Sequence, residues 1–444
     1  MAQTLVRRLL TAGLIAAMIV GLTLAATVRI DRRAGAPDAS PAAGAAGAAE
    51  APAATLSGSI DRLQRHLRDQ PRDAAAWASL GLAYVERARL TADPSYYPKA
   101  AAVLDRSAGL RPDGNDAAHA GRAALAAARH DFPAALAEAD RSLAVNPYGQ
   151  RALAVRVDAL VELGRYREAE AAVRHADATK PGIPVFTRFA YVHELHGRTG
   201  EARRVLELAA GSATDPADVA YVRTQLGELA WNRGDARAAG REFAAALRAD
   251  PTDLGALDGR ARVRYATGDT AGAIRDGRDL VTRSPLPGRL TWFGELLESQ
   301  GRADEAAKQY AVARAWSALA QANGVTPDLE TALFETGHGD RAAALRAARA
   351  EWARRRSVHV ADALAWALHA NGRDEEALGY ARKAAATGYR NAAFLYHRGM
   401  IERSLGKRPE ARRDLAAALR LNPRFSPLDA PRAKAALAGL GGAR

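Results

Sequence analysis

The chain has no cysteine, which excludes disulfides, thiolate metal sites and cysteine nucleophiles while leaving the compartment open. Aromatic side chains make up only 6% of it, although 48% of its residues are hydrophobic. Alanine accounts for much of that difference. It favours helix but buries little area per residue, so packing has to rely on close helix approach. Enzyme signatures are missing as well. There is no G-x-S-x-G, no H-E-x-x-H, no Walker-type G-x4-G-K-[ST] and no strand-linked G-x-G-x-x-G. The expectation is a protein that is not an enzyme and needs no cofactor or metal. His193 and His196 share one helix face at a spacing of three, but no third ligand accompanies them, so they read as packing and corner residues. Carboxylate runs such as Asp374-Glu375-Glu376 fall in the first turn of helices, where they offset the helix dipole.

Basic residues outnumber acidic ones by 63 to 50, giving a net charge of +13. The excess is spread thinly and reads as a solvated basic surface. Nucleic acid is not an expected partner, because clustered Lys and Arg interleaved with aromatics are lacking. The one compact run, Arg354 to Arg356, has only Trp352 beside it and lies at a helix end, where cations are favoured.

The amino terminus carries Arg7 and Arg8 and then an uncharged run of twenty residues, Leu9 to Val28, long enough to cross a bilayer as a helix. Ala25-Ala26-Thr27 is a poor cleavage site, and Arg29, Arg32 and Arg33 follow like an anchor flank. Residues 1–33 are therefore expected to be a single-pass membrane anchor, with a cleaved signal and secretion as the alternative. In either case the rest of the chain is expected on the extracytoplasmic side. Positive charge flanks both ends of the run, so it does not fix orientation. Residues 34–54 are an Ala/Pro/Gly linker with too little large apolar side chain to form a core.

Beyond the linker, one short pattern recurs. Gly, a polar turn and an alanine five residues on form Gly164-Arg165-Tyr166-Arg167-Glu168-Ala169, with further copies beginning at Gly197, Gly234, Gly268, Gly301, Gly339, Gly372 and Gly406. The alanines are spaced 33, 37, 34, 33, 38, 33 and 34 residues apart. Glycine there suits the left-handed residue that ends a helix, and a small alanine suits the nearest approach of two helices. Pro71, Pro112, Pro147, Pro181, Pro251, Pro285 and Pro423 stop the second helix of many units. Exceptions stand out: extra residues from Thr91 to Pro98, His130 in place of the corner glycine, an irregular joint from Gly211 to Pro216, and a helical pattern reaching Ala322.

Trp77 to Tyr84 reads W-A-S-L-G-L-A-Y, matching W-x2-L-G-x2-Y at every fixed position. With the eight corners in phase at a period near 34, the chain resembles the tetratricopeptide repeat (TPR) family over nearly everything after residue 55. The resemblance implies an all-α, TPR-like superhelical solenoid of about ten helix-turn-helix units over residues 55–426, with residues 427–444 forming a capping helix and tail. Successive hairpins are expected to bury their apolar sides only against one another, giving a curved rod without a central core.

The resemblance also implies that first helices line a concave groove binding protein or peptide partners. In this register the groove-facing residues are Tyr221, Glu228 and Trp231, then Asp258 and Tyr265, Glu295 and Glu298, Asp362, Trp366 and His369, and Tyr396. They are acidic and aromatic, which favours a basic or apolar partner segment. Trp231 and Trp366 also fit as packing between units. The expected function is a membrane-tethered, non-catalytic scaffold or assembly factor, with an accessory subunit of a membrane or secreted enzyme or transporter as the alternative. Oligomeric state is not legible.

Overall fold

A computed structural model of the 444-residue protein describes residues 52–441. The expected anchor at 1–33 and the linker as far as residue 51 lie outside the described residues. Among the described residues there are 22 helices and no strand, and no helix is long and apolar enough to cross a membrane.

α1 (Pro52–Asp69) stands alone and packs on α2. Ten antiparallel hairpins follow. They are α2 (Ala74–Thr91) with α3 (Tyr96–Leu110), α4 (Asp116–Ala128) with α5 (Phe132–Val145), and α6 (Gln150–Glu162) with α7 (Tyr166–Thr179). Next come α8 (Ile183–Leu195) with α9 (Thr199–Ser212), α10 (Pro216–Asn232) with α11 (Ala236–Ala249), and α12 (Leu254–Thr267) with α13 (Thr270–Arg283). The series continues with α14 (Pro287–Ser299) and α15 (Ala303–Ala322), then α16 (Asp328–His338) and α17 (Arg341–Arg354). α18 (Val358–Ala370) with α19 (Asp374–Ala384) and α20 (Ala392–Ser404) with α21 (Arg408–Leu421) complete it, and α22 (Asp429–Gly441) covers the last face.

The corners explain why the chain turns where it does. At Gly234 the backbone is left-handed (φ 81°), and the Asp235 N–H donates to the Ala230 carbonyl at 2.9 Å, the long bond of a Schellman cap. Asp235 then accepts from the Ala238 N–H and starts α11. Where arginine replaces this aspartate there is no side-chain cap. An ion pair one turn ahead accompanies it instead, as in Arg165 with Glu168 and Arg302 with Glu305, both 2.7 Å. Two corners depart from the pattern. His130 adopts φ 64° in the glycine's place, and Gly339, at φ −158°, is not left-handed at all.

Within a unit, close approach is set by small residues. Phe243 of α11 is fully buried, with Gly227 of α10 and Gly259 of α12 on either side. A Cβ on Gly227 would fall 2.5 Å from the ring, and one on Gly259 would clash with it outright. Burying such a ring stabilises the pair by about 2–3 kcal/mol, roughly what an aromatic side chain gives on full burial.

The rod expected from sequence is corrected by contacts between distant units. Arg355 donates to Glu162 across 193 residues of chain, the Thr326 N–H donates to the Arg129 carbonyl at 3.1 Å, and Val358 N–H donates to the Tyr166 hydroxyl at 2.7 Å. Arg424 reaches the Tyr265 carbonyl at 3.1 Å. The superhelix thus returns over itself after five to six units, and its turns touch along a seam. The physical reason is the alanine-rich interfaces, which bring helices close and wind the array tightly.

Three glycine corners lie in this seam. A Cβ on Gly197 would stand 2.8 Å from the Gly388 carbonyl oxygen, and Cβ atoms on Gly164 and Gly234 would collide with the carbonyls of Arg356 and Leu421. At Gly301, Gly372 and Gly406, equally left-handed, a Cβ meets nothing within 4 Å. Gly301→Ala should therefore cost about 1–2 kcal/mol, the left-handed penalty alone. Gly234→Ala should cost at least about 2 kcal/mol more, since backbone must move, and denaturant unfolding of the two variants measures the difference.

The seam also buries charge. Glu162, Arg355 and Glu351 are 3%, 3% and 1% exposed and are joined by hydrogen bonds from the one guanidinium. Arg355→Met leaves Glu162 without its cation and should destabilise the fold by about 3–5 kcal/mol. Adding Glu162→Gln should recover part of the loss in the same unfolding experiment.

Candidate binding channel

Winding the array tightly encloses space on its axis. A cavity of about 840 Å³ is walled chiefly by the first helices α8, α10, α12, α14, α16, α18 and α20, with α22 closing one side. That is within the size range of sites that engulf a small ligand or a few residues of peptide.

One side chain per unit forms a column along the wall. Glu194, Glu228, Arg262 and Glu295 follow at intervals of 34, 34 and 33 residues, each in the same place on α8, α10, α12 and α14. Arg262 grips Glu228 with two hydrogen bonds, one of 3.2 Å, lies 3.5 Å from Asp258, and sits 5.6 Å above the Trp231 ring. Burial alone would lower the Arg262 pKa, but Glu228 and then Asp258 lift it above its ordinary value. Arg289 approaches the other oxygen of Asp258 at 3.9 Å. Glu295 pairs with His338 at 3.1 Å, and burial raises its carboxyl pKa. Glu194 differs from these: it accepts from Asn232 at 2.9 Å and has no cation partner among the described residues, and burial pushes its carboxyl up to about 7.

On the facing side, Asp362 pairs with His397 at 2.8 Å while its Oδ1 takes no hydrogen bond. Trp366 stacks against both His369 (4.9 Å) and His397 (4.3 Å), bridging α18 to α20. His369 is itself bonded to Asp374. In total the wall carries seven Asp and Glu against four Arg and no Lys, the reverse of the chain's overall balance.

The residues expected in a groove are placed as follows. Glu228, Trp231, Asp258, Glu295, Asp362 and Trp366 line the cavity together, as does His369. Tyr221 lies off it and donates to Thr187 at 3.4 Å. Tyr265 sits at the seam beneath Arg424, and exposed Glu298 accepts from Tyr310 at 2.9 Å. Tyr396 is 2% exposed and packs with Leu415 and Ala433, because its side of α20 faces α21 and α22. Sequence reasoning passed over Glu194 and Arg262, although the 34-residue interval from Glu228 points to both. Tyr389 and His397 had no such signal. Of the histidine pair, His193 is buried and stacks on Phe189 at 4.6 Å, and His196 sits at the corner and bonds the Val192 carbonyl at 2.8 Å. No group of three or more metal-binding side chains exists among the described residues.

Stacked antiparallel helix pairs with glycine corners, wound about a hollow axis, define a helical-repeat solenoid protein. The Trp77–Tyr84 motif and the 34-residue period on this scaffold are those of the tetratricopeptide-repeat fold. No family model and no curated protein matches the sequence. Similar solved structures are the Pseudomonas aeruginosa protein pilF (20% identity, 48% of this chain and 92% of that one, TM-score 0.36) and the thermophilic TPR protein TTC0263 of Thermus thermophilus (23%, 39% and 90%, 0.34). Human IFIT1, as a dimer with m7Gppp-AAAA, is similar at 17% identity over 74% of this chain and 76% of that one, with a TM-score of 0.47.

The Asp362–His397 pair makes stability depend on pH. Burial opposes the protonated ring, but Asp362 outweighs it and raises the His397 pKa. A raised histidine contributes stability fully below its unfolded value of about 6.5 and loses it as pH rises through the folded value. The stability difference between wild type and His397→Gln should therefore shrink as pH rises from 5.5 to 8.5, as read from thermal unfolding.

Proposed function

We propose that the protein is a non-catalytic scaffold or assembly factor that holds a segment of a partner protein in its axial channel. The observation that carries this is the channel wall: an excess of carboxylates and several aromatic rings, inside a protein whose overall charge is positive. Such a wall selects a basic or apolar segment, with rings supplying contact area and carboxylates supplying register. Its Asp, Glu and His side chains are paired with one another or with arginine at several points, an arrangement suited to holding shape.

In this proposal Leu9 to Val28 tethers the protein to a membrane as a single-pass anchor, with the repeats on the extracytoplasmic side. Protease treatment of intact cells tests that placement, and a processed, soluble product would replace it with secretion. Crosslinking and pull-down from membranes identifies the partner. A single partner recovered in stoichiometric amount would make the protein an accessory subunit of that partner's complex. With the partner segment in hand, Glu228→Lys and Trp366→Ala should each weaken binding by about tenfold or more, near 1.4 kcal/mol. Affinity unchanged in both variants would sink the channel proposal.

A further inference from the structure

Two acids of the channel, Glu194 and Glu330, have no ion-pair partner among the described residues, and Glu194 is the one that shares a face of α8 with a tyrosine. Asn232 donates to its Oε1, and its Oε2 takes no hydrogen bond from the described residues. Tyr191, one helical turn earlier on α8, shares a 3.0 Å hydrogen bond with His359 of α18 across the seam. His359 in turn packs edge-on against Tyr389 (5.6 Å) and Phe394 (5.4 Å), whose rings contact each other at 5.7 Å. All of these side chains line the one cavity. Glu194 thus shares its cavity with a cluster of aromatic rings and has no ion-pair partner among the described residues. Arg262, which follows Glu228 in the same column, is committed to Glu228 and Asp258.

A second carboxylate in the same cavity is also short of a donor. Asp362 is 3% exposed, and its Oδ1 has no hydrogen-bond partner. Leaving a buried carboxylate oxygen unpaired costs about 1–3 kcal/mol, which a bound donor would relieve.

We infer that Glu194, Tyr191 and Tyr389 form a cage for a primary ammonium group, presented as a lysine side chain of the partner segment; the inference rests on the scaffold proposal above. Rings and a carboxylate together stabilise a desolvated ammonium through its charge and through the ring faces. The single open oxygen on Glu194 suits a point charge, whereas a guanidinium gains its two-pronged grip only where both oxygens of a carboxylate are free.

The groups around the cage set its pH behaviour. Asn232 on α10 donates to Glu194, and Tyr191 on its own helix, Glu228 on α10 and Tyr389 ahead of α20 interact with it electrostatically, while Arg262 on α12 and His359 on α18 line the same cavity. Burial lowers His359 to about 4, so it is neutral here, and burial raises Tyr389 far above the working range. Glu194, near 7, is the group that ionises between pH 6 and 8. Ammonium binding requires its charged form, so affinity should rise through that interval.

The test is calorimetric titration of the full chain with three probes: an acetylated pentalysine amide, spermidine and a pentaglutamate. Pentalysine should bind and gain up to about tenfold in affinity from pH 6 to pH 8. Glu194→Gln should weaken it about tenfold and flatten the pH dependence, while Glu375→Gln, on the exposed face of α19, should change nothing. Unaltered binding to Glu194→Gln, or binding of pentaglutamate, overturns the cage. Spermidine binding without pentalysine binding overturns the lysine assignment in favour of a free polyamine. If Glu194→Gln leaves binding of the partner segment intact while Glu228→Lys abolishes it, the cage fails and the scaffold proposal stands. If both variants bind the partner as wild type does, both fail.

Discussion

Helices that meet through alanine and glycine lie close, and this constraint governs the rest of the molecule. Several bulky residues fit these interfaces because a neighbour has no side chain, as Phe243 does between Gly227 and Gly259, or Leu104 opposite Gly81 and Gly121. A stack built this way turns sharply per unit. It completes a turn in five to six hairpins, so that the corner after α6 arrives beneath the loop before α18. Contact between turns then follows, and with it an enclosed axis. Larger residues in the same places would open the pitch and leave a shallow groove instead of a channel.

Closing the seam brings charge out of water. Glu162 and Glu351 share Arg355 inside it, while a comparable buried pair, Asp158 with Arg188 at 2.7 Å, joins neighbouring units at α6 and α8. Such pairs add little net stability, since desolvation offsets their attraction, but breaking one is costly. Their contribution is to register. Only one alignment of the two turns gives Glu162 its guanidinium, the Tyr166 hydroxyl its backbone donor and Tyr191 its histidine. An array held by nearest neighbours alone would have no such constraint on its pitch.

The division between what was legible in the sequence and what was not follows chain distance. Corners, caps and the second-helix alanines are local, and the residues state them: Gly234 needs a left-handed backbone and Asp235 caps what comes next. Even the exception at His130 was visible as a missing glycine. That corner keeps its left-handed turn and sets the imidazole Nδ1 3.3 Å from the Thr326 carbonyl oxygen, a contact 196 residues distant. No local pattern announces such a partner. The seam was therefore missed entirely, and glycines at Gly164 and Gly301 looked equivalent although only the first has a carbonyl above it. On the wall, periodicity placed Glu228, Asp258, Glu295 and Trp366 on the inner face. It could not tell that Tyr396, on a first helix near the end of the array, would be covered by α21 and α22.

The position of the one cation in the Glu194, Glu228, Arg262, Glu295 column decides where the channel is most negative. Arg262 neutralises its neighbours on both sides, Glu228 and Asp258, and Arg289 adds to the positive charge beside Asp258. His338 stands against Glu295 further on. The middle of the column is thus largely self-compensated, and the carboxylates without an ion pair among the described residues are Glu194 at its end and Glu330 on α16. At neutral pH, burial keeps Glu194 partly protonated, so its charge is held in reserve until a cation arrives to favour the ionised form. A basic exterior would repel a cationic segment at long range, weakly at physiological salt, where the screening length is about 8 Å. Selectivity for such a segment must then come from inside, where the dielectric is low and each uncompensated carboxylate acts at short distance.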